Sequence, residues 1–150
     1  MEIRNITPAD REEVLSMMRV FYDSPALIIH AADQVLARDV DACISGSPYV
    51  EGYVFDQGDG TICGYSMLAK SFSTEAGGLC IWIEDLYLKP EYRGQGFGSA
   101  LFRFVEEKYG DTAARLRLEV EPDNEKAIHV YEGMGYHELA YMQMIKDREY

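Results

Sequence analysis

Cysteine is scarce in this chain of 150 residues. It has three thiols, Cys43, Cys63 and Cys80, widely spaced and without a C-x-x-C pair. An odd, scattered set forms neither a disulfide framework nor a zinc site, so the three read as small hydrophobes and no metal is expected. Long apolar runs are absent too, none approaching the roughly 20 residues of a membrane span. The opening MEIRNITPAD has neither the basic start nor the apolar core of a secretion signal, so a cytoplasmic protein with no membrane partner is expected. Basic residues are few, 14 against 26 acidic ones, for a net charge of −12. That balance repels nucleic acid and attracts cationic partners. No Gly-Lys pair occurs, which excludes a Walker A phosphate loop. His30, His129 and His137 stand apart, without metal-ligand spacing.

Against these absences stands 47% hydrophobic and 12% aromatic content, enough for one domain with a core of its own. Helix and strand patterns alternate along it. Residues 2–6 suit a short strand, after which Thr7, Pro8 and Asp10 mark a capped helix start with Val14, Leu15, Met18, Phe21 and Tyr22 on one face. Leu36, Val40, Cys43 and Ile44 suit a second helix, stopped by the turn at residues 46–48. Residues 49–55 and 62–72 read as a hairpin around DQGDG, and GGLCIWIEDLYLKP as a long strand ended by Pro90. A helix with Phe97, Leu101, Phe104, Val105 and Tyr109 follows, then the alternating strand RLRLEVEP, a helix over DNEKAIHVYEGMGY and a closing strand over residues 136–147. The tally is an α/β or α+β sheet domain with hairpins and crossovers.

The stretch EYRGQGFGSALFRFVEEKYG places glycines at 94, 96 and 98 directly before a helix. Unpaired N–H groups and the helix dipole make such a start a docking place for an anion, and Arg93 adds a forked cationic donor. A dinucleotide G-x-G-x-x-G counted from Gly94 would require glycine where Ser99 stands.

Arg93, Gly96 and Gly98 resemble the [Q/R]-x-x-G-x-[G/A] signature of the GNAT superfamily of acetyl-CoA-dependent N-acetyltransferases. Asn124, Ala127, Tyr131, Gly135 and Tyr136 are similar to its N-x-x-A-x-x-x-Y-x-x-x-G-[F/Y] segment. The resemblance implies a single GNAT domain over residues 1–150, with a mixed, mostly antiparallel sheet of six to seven strands flanked by four helices. It implies acetyl-CoA as co-substrate, held by Leu86, Tyr87 and Leu88 along the strand, by Arg93, Gly94, Gln95, Gly96, Phe97, Gly98 and Ser99 at the loop, and by Asn124. IEDLYL before the loop looks nearest the diamine and polyamine branch, with Trp82, Glu84 and Asp85 meeting the acceptor and residues 25–46 supplying pocket walls. Homodimers are common among similar proteins.

The chemistry fits such a site. An alkyl amine, with a pKa of about 10.4, is protonated at neutral pH and must lose a proton before attacking a thioester. The resemblance assigns that base to Glu84 and the acid that protonates the leaving thiolate to Tyr131. Successive strand residues point to opposite faces, so Glu84 and Asp85 serve one site only if a bulge intervenes. A peptide, amino-acid or antibiotic amine is an alternative acceptor. A non-catalytic acetyl-CoA-binding module would need neither Glu84 nor Tyr131.

Overall fold

A computed structural model of the chain describes residues 1–25, 27 and 30–147. Strand β1 (Glu2–Asn5) leads into a 3-10 turn, Pro8–Asp10, where the Asp10 carboxylate accepts from Thr7 N–H (2.8 Å) and Thr7 Oγ1 (2.6 Å), the capping arrangement expected from the sequence. Helix α1 (Arg11–Tyr22) and helix α2 (Asp33–Ile44) follow, then β2 (Val50–Asp56), β3 (Ile62–Ser73) and β4 (Gly78–Leu88). Helix α3 (Phe97–Tyr109), β5 (Ala113–Leu118) and α4 (Glu125–Glu132) complete the fold.

The strands form one sheet in the order β1-β2-β3-β4-β5. Neighbours are antiparallel except β4 and β5, which are parallel because α3 carries the chain back between them. Each face of the sheet has its own core. Helices α1 and α2 cover Val54, Tyr65, Met67 and Tyr87 with Val14, Met18, Leu36 and Val40. Helix α3 covers Tyr53, Phe55, Leu68, Ile81 and Ile83 with Leu101, Phe102 and Val105, and Tyr131 and Tyr136 pack beside them. Side chains of this size contribute about 1.5–3 kcal/mol each when fully buried, so both faces are firmly held.

Three expectations are corrected. The sheet has five strands among the described residues rather than six or seven, and β5 ends at Leu118 instead of running to Pro122. Residues 136–147, expected as a closing strand, join no ladder; their contacts include Tyr141 to Glu75 (2.9 Å) and Gln143 to Glu119. Leu139, Tyr141, Met142, Met144 and Ile145 stay exposed. A strand is secured by the edge it pairs with, and apolar content does not supply that edge.

One charged cluster ties β2, β3 and α3 together. The Glu51 carboxylate accepts from Lys70 Nζ and Tyr53 OH, both at 2.5 Å, and from the Tyr109 hydroxyl, with Lys108 Nζ 3.4 Å away. Burial pushes this carboxyl up, but Lys70, Tyr109 and Tyr53 outweigh it and carry it down to about 2.

Candidate active site

The site is organised by an irregularity in β4. Met67 of β3 pairs with Asp85 while Leu68 pairs with Ile83, so Glu84 is the extra residue of a bulge. Before it, Ile81 and Ile83 point into the α3 core, which turns Trp82 and Glu84 toward α1 and α2. After it, Tyr87 lies in the α1/α2 core, and Asp85 shares its face. Both carboxylates therefore reach the same side of the sheet.

Their surroundings differ. Glu84 is exposed, whereas Asp85 is 3% exposed. Asp85 Oδ1 accepts from Tyr22 OH (3.0 Å) and Oδ2 from Tyr65 OH (2.9 Å), and its backbone carbonyl accepts from Ser66 Oγ (2.7 Å). No ion pair among the described residues includes Glu84, Asp85, Asp39 or Glu119. Burial raises the Asp85 carboxyl to about 6, with the two phenols pulling it down and Glu84 and Asp39 pushing it up. Glu84 is raised by desolvation and then by Glu119 and Asp39. Tyr22 also lines a cleft of about 260 Å³ with Arg19, Asp23, His30, Asp33 and Leu36. Of the expected wall segment 25–46, residues 26, 28 and 29 lie outside the described residues.

The β4/β5 ladder stops at Ile83 and Leu118, so residues 84–88 keep only β3 as a partner. Leu86, Tyr87 and Leu88 thus present a free strand edge that runs toward the glycine loop. In that loop Gly94 and Gly96 have φ of 73° and 84°, a left-handed backbone that side chains disfavour, and a Cβ on either would point into open space. Gly96 caps α3 without any side-chain hydrogen bond, and the first turn contains no acidic residue. The first bond closing the helix runs from Ala100 N–H to Gly96 O (2.9 Å), ahead of which lie the N–H groups of Phe97, Gly98 and Ser99. Arg93 Nε donates to Leu88 O (2.9 Å) and its guanidinium sits 5.7 Å from the Tyr87 ring, while Gln95 Nε2 donates to Glu91 O (2.8 Å). An open edge leading to an uncapped, acid-free helix start fits an extended ligand that ends in phosphates.

The remaining expected residues lie around this frame. Tyr131 packs on Phe102 and Tyr136 at 5.4 and 6.4 Å on the α3 side, opposite the face of Glu84, and burial raises its phenol. Asn124 accepts from Ala127 N–H (3.3 Å) as the cap of α4. Trp82 is covered by the Arg117 guanidinium, 3.8 Å from its ring.

The profile of the acetyltransferase (GNAT) family matches residues 16–136. The chain belongs to the GNAT family. Among curated proteins, thialysine N-epsilon-acetyltransferase of Bos taurus is 40% identical over 79 residues, 52% of this chain and 46% of that protein. The matched region thus spans about half the length of that relative. The protein of the same name from Caenorhabditis elegans is 26% identical over 139 residues, 90% of this chain and 82% of its own. Among solved structures, a possible acetyltransferase from Clostridium difficile superposes with a TM-score of 0.83 at 20% identity, covering 99% of this chain and 98% of that one. An aminoglycoside N-acetyltransferase in complex with CoA gives 0.78 at 13% identity, covering 98% and 94%.

In this GNAT domain, the two carboxylates and the loop named from the sequence lie where described above, whereas Tyr22 and Tyr65, which bond to Asp85, were not among the site residues it named. Tyr22 was read only as part of an apolar helix face, and Tyr65 only as a position within the strand over residues 62–72. A phenol on a buried stripe was the available signal, since its hydroxyl requires a partner.

Proposed function

We propose that this GNAT chain is an acetyl-CoA-dependent N-acetyltransferase that acts on the primary amine of a small cationic acceptor, of diamine or polyamine type. The observation that carries this reading is the pair Glu84 and Asp85, brought to one face by the bulge and left without a cation among the described residues. Bound acetyl-CoA supplies the acetyl group as a thioester. Leu86, Tyr87 and Leu88 hold its arm by their free edge, and Arg93 with the turn from Gly94 to Ser99 holds its phosphates. Asn124 supports the site by capping the helix that carries Tyr131.

Glu84 takes the proton of the acceptor ammonium, directly or through water, and its raised pKa suits a base working near neutral pH. Tyr131 Oη supplies the proton that the departing sulfur needs, and burial keeps that phenol protonated until then. Asp85 holds the positive end of the acceptor, and Trp82 borders it. A second reading, an amino acid with a side-chain amine, is favoured by Arg117 on the same face, which would meet a carboxylate, and by the names of the curated relatives. We read the enzyme as cytoplasmic, and the exposed Tyr141, Met142, Met144 and Ile145 as contact surface in a homodimer.

The test is thiol release from acetyl-CoA across diamines, polyamines, lysine, thialysine and a peptide amine. Turnover concentrated on diamines and polyamines supports the first reading, turnover on the amino acids supports the second, and no release with any amine refutes both.

A further inference from the structure

Asp85 is an anomaly among the carboxylates of this chain. It is nine-tenths buried or more, each oxygen accepts one phenol hydrogen, and no lysine, arginine or histidine neutralises it among the described residues. Two tyrosines from separate elements, the last residue of α1 and the fourth of β3, converge on it. Tyr65 is itself fully buried, and the rings of Phe21 and Tyr87 pack beside it at 6.4 and 6.1 Å. An apolar aromatic shell around an unpaired anion is unfavourable unless the charge is used. Phenols are suited to this place because they donate to a carboxylate without neutralising it, as a lysine would.

We propose that Tyr22 and Tyr65 are positioning residues that hold Asp85 in its ionised form beside Glu84, so that the two carboxylates together take up the proton the acceptor amine gives up. The proposal rests on the N-acetyltransferase reading. In the step, an N–H bond of the ammonium breaks, its electron pair stays on nitrogen, and an O–H bond forms on Glu84. Asp85, ionised next to it in the chain and coupled to it through charge, favours the proton's arrival there. Solvent receives it afterwards from Glu84, the exposed member. The groups facing Asp85 are Tyr22 from α1, Asp39 and Cys43 from α2, Tyr65 from β3, and Glu84 and Tyr87 from β4, with His30 Nδ1 2.6 Å from the Tyr22 carbonyl. Among these, only the two phenols donate hydrogen bonds to its side chain. Removing either hydroxyl favours the protonated acid, and the pair then begins its work already filled.

The experiment follows the Asp85 side-chain carboxyl by carbon NMR against pH in wild type, Tyr22→Phe and Tyr65→Phe, with Asp85→Asn assigning the signal. The pH profile of kcat/KM is measured on the same proteins with the best amine of the panel. The expected result is a midpoint raised by about one unit or more in each phenylalanine variant. The acid limb of kcat/KM should move up with it, and activity should recover at higher pH. Tyr22, at the partly exposed end of α1, serves alone if Tyr65→Phe does not fold. Midpoints that stay put, or an acid limb that stays put while the midpoints move, overturn the proposal. A wild type that releases no thiol with any amine overturns the acetyltransferase reading and this role with it, whereas an active wild type with unmoved variants overturns this role alone.

Discussion

Two carboxylates of the same sheet, Glu51 and Asp85, each accept from two tyrosine hydroxyls, yet they have opposite fates. Glu51 also has Lys70 at 2.5 Å and Lys108 at 3.4 Å and is carried down to about 2. Asp85 has no cation among the described residues and is raised to about 6. Where the charge serves the fold, the chain supplies its own lysines. At Asp85 no described cation is supplied, and under the proposed function the incoming ammonium completes the arrangement that Lys70 completes at Glu51.

The comparison breaks first at activity. Glu84→Gln should lower kcat/KM by about 10²–10⁴-fold at neutral pH, with the loss shrinking at higher pH where free amine is plentiful. Its melting temperature should stay near wild type because the side chain is exposed. Glu51→Gln should do the reverse, keeping turnover while lowering the unfolding midpoint; thiol release and thermal melts on the two variants decide. Tyr131→Phe should lower kcat by about a hundredfold with acetyl-CoA affinity nearly kept, as stopped-flow turnover and calorimetry would report. Gly96→Val should weaken acetyl-CoA binding by roughly tenfold or more by calorimetry, because valine strains a backbone at φ 84° and places a side chain in the proposed phosphate cradle.

The smallest effect sharpens the comparison most. The Asp85 carboxyl is raised above its ordinary 3.8 to about 6, so between those two values the native state holds a proton that the unfolded chain has lost, while at neutral pH it is ionised. Its contribution to stability is full below about pH 4 and is lost as pH rises through about 6. Glu51 is lowered below 4.5, so its contribution is present above that value and lost as pH falls toward 2. Asp85→Asn should flatten the first slope and Glu51→Gln the second, each on the order of 1–3 kcal/mol, in chemical denaturation run from pH 3 to 8. Slopes of the same sign would contradict the contrast.

What the sequence revealed follows from how local each feature is. Helices with their own stripe and cap, such as α1 and α3, were legible, as was the glycine loop, whose left-handed residues are a backbone requirement of the turn itself. Glu84 and Asp85 were legible as candidates, but the bulge that unites them depends on the register of β3 against β4, which no single strand encodes. Tyr22 lies 63 residues from Asp85 and Tyr65 lies 20, so their convergence belongs to tertiary packing. The closing strand shows the same limit from the other side: its pattern is present and β5 has an open edge, yet residues 136–147 do not pair with it.

The parting of β4 from β5 after Ile83 and Leu118 makes the sheet a wall with a window in it. Glu84 looks out on one side and Tyr131 stands on the other. Under the proposed reaction, a donor laid along the sill and an acceptor arriving from the far side use separate doors, so that neither guest need leave before the other enters and the chain never wears the acetyl group itself.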